Sequence, residues 1–438
     1  MSAPPDSPPT QAAAAPWGQR RALGVAFLTL FLDLLGFGLL IPSQSFIAEG
    51  FGATAWKVTL LGTAYSGMQF LFAPLWGRLS DRIGRRPVVL VSIAVGACGF
   101  LIFGFATSLA MLYFSRALAG FGNANLGTVQ AIVADVTPGK DRAKGMGIIG
   151  AAFGMGFLFG PIIGGVLVAG FGLSPMAPAF CAAGLGALNW VLAFFLLEET
   201  NPNRGTAAKK PARNNFALFS PKALAHAARN VNVGPLFALA FVYSVGFSLM
   251  EQILNLYIEH SFLPGDNIGT PEGIQAATAM ATKVMVTVGI TAVIVQGGLI
   301  GRLRKKMSER TMIVAGTAIV AVSFVLLAGV GGLGSTGFLL TFPIVVLLSF
   351  GSGILSPSQS SMLSRSVSDA EQGTVLGLGQ SMASLGRVLG PALAGLLFEA
   401  FHALPFLVGA VLIMCGCLVA LRLREPANEP GVLATHGS

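Results

Sequence analysis

Charge is scarce in this 438-residue chain, with Asp, Glu, Lys and Arg making up 10% of it against roughly a quarter in soluble domains. Together with 54% AVILMFWYC, that scarcity excludes a soluble globular protein. Only four cysteines occur, Cys98, Cys181, Cys415 and Cys417. All lie inside apolar stretches without the spaced pairing of a disulfide framework, so no disulfide and no redox compartment is implied. The four histidines, His226, His260, His402 and His436, fall outside the interior of every long apolar stretch. There is no GxxxxGK[ST] loop to cradle ATP phosphates, no HExxH and no paired-Cys metal spacing. These absences argue against an enzyme and leave no metal and no resident cofactor to expect.

What is abundant is glycine, 57 residues, with neither the collagen triplet nor the polarity of a linker, a usage that suits closely packed membrane helices. Hydropathy gives twelve stretches near the length of a membrane span, at about 22–46, 58–77, 87–106, 109–135, 143–170, 177–197, 233–258, 276–300, 311–333, 337–362, 373–398 and 403–422. Residues 1–21, rich in Pro and Ala, read as a disordered tail before a retained first span, which far exceeds a cleaved signal core. The polar interval 198–232 reads as a linker between two sets of six spans, 22–197 and 233–422, and 423–438 as a second tail.

Cations fix the expected orientation. With both termini and the linker inside, cytoplasmic segments hold 23 of the 27 Lys and Arg, among them Arg78, Arg82, Arg85, Arg86, Lys140 and Arg142, whereas the outer loops hold only Lys57. That asymmetry follows the positive-inside rule and explains the net charge of +9 without nucleic acid. The halves also echo each other. Gly160-Pro161 recurs as Gly390-Pro391 and Gly165 as Gly395, 230 residues on, and Gly77-Arg78-Leu79 recurs as Gly301-Arg302-Leu303, 224 residues on. Two related six-helix bundles predict a site at their interface near mid-membrane, exposed alternately to either side.

The loop after the second span reads GRLSDRIGRRP, Gly77 to Pro87. In it a glycine, an acid four residues on and a basic cluster resemble the signature loop of the major facilitator superfamily. LDLLGFGLLIP (Leu32 to Pro42), RALAGFGNANLG (Arg116 to Gly127) and GMGFLFGPIIGG (Gly154 to Gly165) narrow the resemblance to drug:proton antiporters, tetracycline exporters above all. It covers the whole chain and is best over the first five spans. It implies an all-α membrane protein of the major facilitator fold with twelve transmembrane helices. It further implies rocker-switch export of a small drug-like or tetracycline-like compound in exchange for protons. In such proteins Asp81, with Gly77, Arg82, Arg85, Arg86 and Asp135, would form a conformational latch that reaches the eleventh span in the outward-facing state. On its own, Asp81 suits a helix N-terminus, where the dipole favours an anion. In the segment with Gly154, Gly160, Pro161, Gly164 and Gly165, small residues recur at four-residue spacing, Gly150 with Gly154 and Gly156 with Gly160 and Gly164, and Pro161 marks a kink. Either they pack one helix on another or they seal the halves together.

Charges within spans are costly and mark function or pairing. Asp33 and Arg116 lie within about 4 Å of the same depth, so they either pair or compete for a proton. The resemblance makes Asp33 the proton carrier, and a structural ion pair is the rival. Glu251 and Lys283 reach similar depths on adjacent spans and are expected to form an ion pair or a second titrating site. Arg387 has three open readings: a substrate anion, an acid of the other half, or the interface. Tyr65, Gln69, Asn123, Asn125, Tyr243, Asn255, Gln359 and Gln380 either line the cavity, with Lys283 and Arg387, or bond helix to helix. Cavity-facing Lys283 and Arg387 would favour anionic or zwitterionic cargo. The expected protein is therefore a monomer in a plasma or bacterial inner membrane, dealing with protons, lipid and a small molecule. Within transport the alternative is a metabolite, sugar or lipid carrier on the same scaffold. A receptor or intramembrane enzyme would need a sensing domain or catalytic constellation that is not visible.

Overall fold

The computed structural model describes residues 16–137, 142–201, 231–268, 270–367 and 369–425. Every apolar stretch is helical: α1 (Pro16–Gly50), α2 (Ala55–Ile83), α3 (Arg85–Gly104), α4 (Leu109–Gly122), which continues through a 3-10 turn at Asn123–Asn125 into α5 (Leu126–Val136), α6 (Arg142–Gly165) and α7 (Ala177–Leu196). The second set is α8 (Val233–Phe262), α9 (Pro271–Ile294), the short α10 (Ile300–Arg304), α11 (Glu309–Val330), α12 (Gly334–Arg365), α13 (Asp369–Ala400) and α14 (Leu404–Ala420). Seven segments among the described residues are long and apolar enough to cross a bilayer, one of them running through both α11 and α12. α1 begins several residues before the expected boundary at 22, and its first residue is a proline, whose fixed φ and missing N–H suit that position. The expected tails and linker lie largely outside the described residues, as do Lys140 and Asp141. Large apolar side chains such as Phe195, Phe171, Leu339 and Val411 point outward, more than 60% exposed. This is the surface of a protein whose solvent is hydrocarbon.

Within the first half α1 packs on α6 and α7, and α3 on α4 and α7; in the second, α8 packs on α13 and α14, and α11 on α12 and α14. The halves meet where α2 lies along α13 and α6 along α9. Glycine makes these approaches possible. A Cβ on Gly160 would stand 2.7 Å from the Gly38 Cα and 2.8 Å from the Leu35 carbonyl oxygen; a Cβ on Gly164 would stand 2.1 Å from the Leu39 oxygen. The small-residue face of α6 therefore grips α1 of its own half. Gly165 alone in that run looks outward, to Thr282 of α9 across the half-to-half boundary.

The sequence echo is a spatial one. Gly390 on α13 lies against Ser248 and the Val245 oxygen of α8, as Gly160 lies against Gly38 and the Leu35 oxygen of α1. Gly386 meets Ser244 and the Val245 nitrogen, as Gly156 meets Leu34 and the Leu35 nitrogen. These matches superpose α6 on α13 at an offset of 230 and α1 on α8 at an offset of 210. The same correspondence makes Gly395, packed against Ala55, Trp56 and Thr59 of α2, the counterpart of Gly165.

Bonds between the halves gather at one end, where α1 closes and α2 begins. There the Trp56 backbone N–H donates to Glu399 at 3.0 Å, His260 Nε2 lies 3.0 Å from Glu49 Oε1, and Asn255 Nδ2 donates to the Ile41 oxygen at 2.5 Å. At the opposite end, near Arg85, the side-chain bonds seen among the described residues stay within one half. Arg85, Asp135, Glu199 and Asn201 serve the first, and Asn232, Glu309, Arg310 and Glu425 the second. The two bundles are thus clasped at the Glu49 end.

Candidate transport site

Asp33 sits halfway along α1, partly buried. Its carboxylate accepts from Asn125 Nδ2 at 3.3 Å, and the same amide nitrogen donates to Ser92 at 2.8 Å. The 3-10 turn at Asn123–Asn125 interrupts α4–α5 and aims these two amides inward. Asn123 Nδ2 donates to the Tyr65 hydroxyl at 3.3 Å, and Gln69 Nε2 donates to the Asn123 backbone oxygen at 3.0 Å. Tyr65, packed on Phe37, stands within electrostatic reach of Asp33, Arg116 and Arg387 together. Charges of both halves thus converge on this one side chain.

Arg116 does not bond Asp33 here. It is 1% exposed, with its guanidinium over Phe103 at 4.6 Å and Phe100 at 5.5 Å. Equal depth aligns the two along the bilayer normal, but α4 packs on α2 and α3 rather than on α1, so cation–π contacts take the place of the expected pair. A similar correction applies to Glu251 and Lys283. The charge beside Glu251 is Arg387 on α13, whereas Lys283 is exposed on α9. α8 lies chiefly against α13 and α14, so its spatial neighbours are not its neighbours in sequence. Arg387 also donates to Ser384 at 2.8 Å, so beside Tyr65 of the other half its company is an acid and a hydroxyl of its own.

A pocket between α1 and α8 is lined by Phe37, Ile41, Gln44, Ser45, Glu251, Gln252 and Asn255. Under the 210-residue correspondence Ile41 and Glu251 are equivalent positions, as are Ser45 and Asn255, so the pocket straddles the relation between halves. Tyr243 stacks on Phe247, and Gln380 is exposed. Gln359 instead donates to the Leu236 oxygen at 3.1 Å, a bond between helices of one half and not a cavity contact.

The segment Gly77 to Pro87, expected as a loop, is helical on both sides of Gly84, closing α2 and opening α3, and is built around Arg85, which is buried. Its guanidinium reaches Asp81 at 2.5 Å, Ser80 at 2.7 Å and Asp135 at 3.2 Å. Gly84 takes φ of 112°, a region that favours glycine. The chain then enters α3, whose first N–H groups, on Arg85 and Arg86, donate to Glu199 at 2.8 and 3.3 Å. Asn201 Nδ2 donates to the Asp81 oxygen at 3.0 Å, and Arg86 donates to the Phe194 oxygen at 2.7 Å. Arg82 is exposed. The side chains of the first turn of α13, the expected target of Asp81, lie outside the described residues, as do those around Gly154. Glu199 and Asn201 escape the sequence reading; a carboxylate just after α7, facing a helix start with unsatisfied N–H groups, is the signal that could have found them.

The sequence matches the Major Facilitator Superfamily over residues 26–378 and again over 270–437. The chain belongs to that superfamily. Its members with several apolar helices are integral membrane transporters, and this chain is one of them. It is 32% identical over 409 residues to the class C tetracycline resistance protein of Escherichia coli, covering 92% of this chain and 96% of that protein. Over 423 residues it is 29% identical to multidrug resistance protein 2 of Bacillus subtilis, with 95% and 98% covered. Among solved structures, the human organic anion transporter MFSD10 (TETRAN) matches with a TM-score of 0.65 and 26% identity, over 94% of this chain and all of that one.

Proposed function

We propose that this superfamily member is a twelve-span, proton-coupled exporter of a small organic compound, with both termini in the cytoplasm, working by alternating access. The observation that carries the reading is the asymmetry of the clasp. Bonds between halves gather at the Glu49 end, while the Arg85 end, which bears the basic loops and so faces the cytoplasm, bonds only within each half among the described residues. The contacts at the Glu49 end support an inward-facing arrangement. In it Asp81 holds Arg85 of its own segment and is free to reach α13 when the inner ends come together.

Asp33 carries the proton. It is partly buried against Asn125, pairs with no cation among the described residues in this arrangement, and shares Tyr65 with Arg116 and Arg387. A carboxyl so placed exchanges its proton with whichever compartment the cleft faces. Cargo meets a site with Glu251 and Arg387 within electrostatic reach of each other, which suits a zwitterion or an anion with a hydrogen-bonding flank better than a lipophilic monocation. Relatives that confer tetracycline resistance and a structural neighbour that carries organic anions support that class. In everted vesicles energised with a proton gradient, adding tetracycline-like compounds should release protons, and Asp33→Asn should abolish the release. Uptake that is indifferent to the gradient would support the metabolite-carrier alternative and reject antiport.

A further inference from the structure

Among the described residues one cluster of metal-ligating side chains lies apart from the site above: Glu49, Glu259 and His260, whose ligand atoms all lie within 4.8 Å of one another. Glu49 ends α1 and belongs to the first half; Glu259 and His260 end α8 and belong to the second. The 210-residue correspondence that superposes α1 on α8 makes Glu49 and Glu259 equivalent positions. Two symmetry-related carboxyls therefore meet on the pseudo-twofold axis at the closed end, their ligand atoms within 4.8 Å of each other, and His260 Nε2 completes the group 3.0 Å from Glu49. We propose that these three side chains form a binding site for a divalent transition-metal ion of the zinc class, and that the ion clamps the outer end shut.

The donor set fits that ion. Carboxylate oxygen and imidazole nitrogen are both zinc donors, and three protein ligands with the fourth position left to water is the pattern of open zinc sites. Magnesium prefers an all-oxygen octahedron and is excluded by the imidazole. Two adjacent carboxyls must share a proton or repel; a divalent ion replaces that proton and balances both charges, so binding releases protons. Glu259 is fully buried, while the side chains of Glu49 and His260 keep 11% and 25% of their surface open, which gives an ion a way in. His260 is held from behind by the edge of Phe398 at 5.7 Å and by His402 at 5.4 Å, itself stacked on Phe398. Such packing fixes the imidazole orientation, as outer-shell contacts do in metal sites. Because the ligands come from both halves, the site is complete only while the outer end is closed. The clamping consequence rests on the alternating-access reading; the binding itself does not.

The test titrates zinc chloride into the purified full-length chain by calorimetry at pH 7, with magnesium chloride as control. One zinc per chain is expected. Affinity should fall at least tenfold in Glu259→Gln and in His260→Ala, and stay unchanged in Asp266→Asn, which removes an exposed carboxyl at the same end outside both the cluster and the bonds between halves. Thermal unfolding of each variant confirms that it is folded. Absent binding, or equal affinity in Glu259→Gln, His260→Ala and wild type, overturns the site. Spin labels at Thr54→Cys and Gly265→Cys, with the native cysteines replaced, give a second readout, in which zinc should collect the distances into the short population. Stoichiometric binding that leaves the distances unmoved would uphold the site and overturn the clamp.

Discussion

Substituting Gly164 with alanine tests whether the α1–α6 seam sets the stability of the first half. The added Cβ would stand 2.1 Å from the Leu39 carbonyl oxygen. Ordinary contacts begin near 3.4 Å, so the atoms are more than 1 Å too close. The offending atom is backbone in the middle of a helix, and no rotamer change relieves it. Overpacking of this kind costs about 1–3 kcal/mol, and the rigidity of both helices argues for the upper part of that range. Alanine recovers up to about 1 kcal/mol of helix propensity over glycine, so a control with the same propensity gain and no clash is required. Gly127 on α5 supplies it, because a Cβ there would meet nothing within 4 Å. On the scale known for soluble domains, about 2–4 °C per kcal/mol, Gly164→Ala should unfold several degrees below Gly127→Ala when detergent-solubilised protein is heated and its soluble folded fraction measured. Equal midpoints for the two variants would refute the close approach of α1 and α6.

Gly395→Ala should behave differently from Gly164→Ala, because its Cβ would strike Trp56 of the opposite half; it should favour outward opening, read as faster labelling of a cysteine placed on the outer face of α2, with little change in unfolding temperature. Glu199→Gln removes the charge that caps α3, worth about 1 kcal/mol by comparison with other caps and dipole contacts; it should raise protease cleavage in the Gly77 to Pro87 segment and slow transport without loss of ligand binding. Asp81→Asn should leave ligand-induced thermal stabilisation intact while impairing turnover; full transport activity in that variant would count against the latch.

The helices are legible in the sequence because hydropathy, basic loops and glycine spacing are local signals. A span announces itself by its own composition, and Gly156, Gly160 and Gly164 announce a seam by their own spacing. What stays hidden is which face meets which helix. Depth along the bilayer can be counted residue by residue, and it places Arg116 level with Asp33 and Lys283 level with Glu251. Azimuth cannot, and it sends Arg116 onto Phe100 and Phe103 and gives Glu251 to Arg387. Gln359, turned onto Leu236 and away from the cleft, is hidden for the same reason.

The internal repeat carries more information than its glycines alone suggest. An offset of 230 relates α6 to α13, yet α1 and α8 are related by 210, because the stretch between α1 and α6 and the stretch between α8 and α13 differ in length by 20 residues. No single offset aligns the halves, so a sequence comparison at 230 finds the Gly-Pro kinks and passes over the equivalence of Glu49 and Glu259. Packing recovers it, since Gly160 on Gly38 and Gly390 on Ser248 are one contact made twice. The consequence is functional. In a two-fold arrangement only residues near the axis can meet their own counterparts, and an acid at such a position must face another acid whenever that end closes. On the alternating-access reading proposed above, closing the outer end brings Glu49 and Glu259 together, so the closed state is expected to hold a cation between them, whether a shared proton or a metal ion.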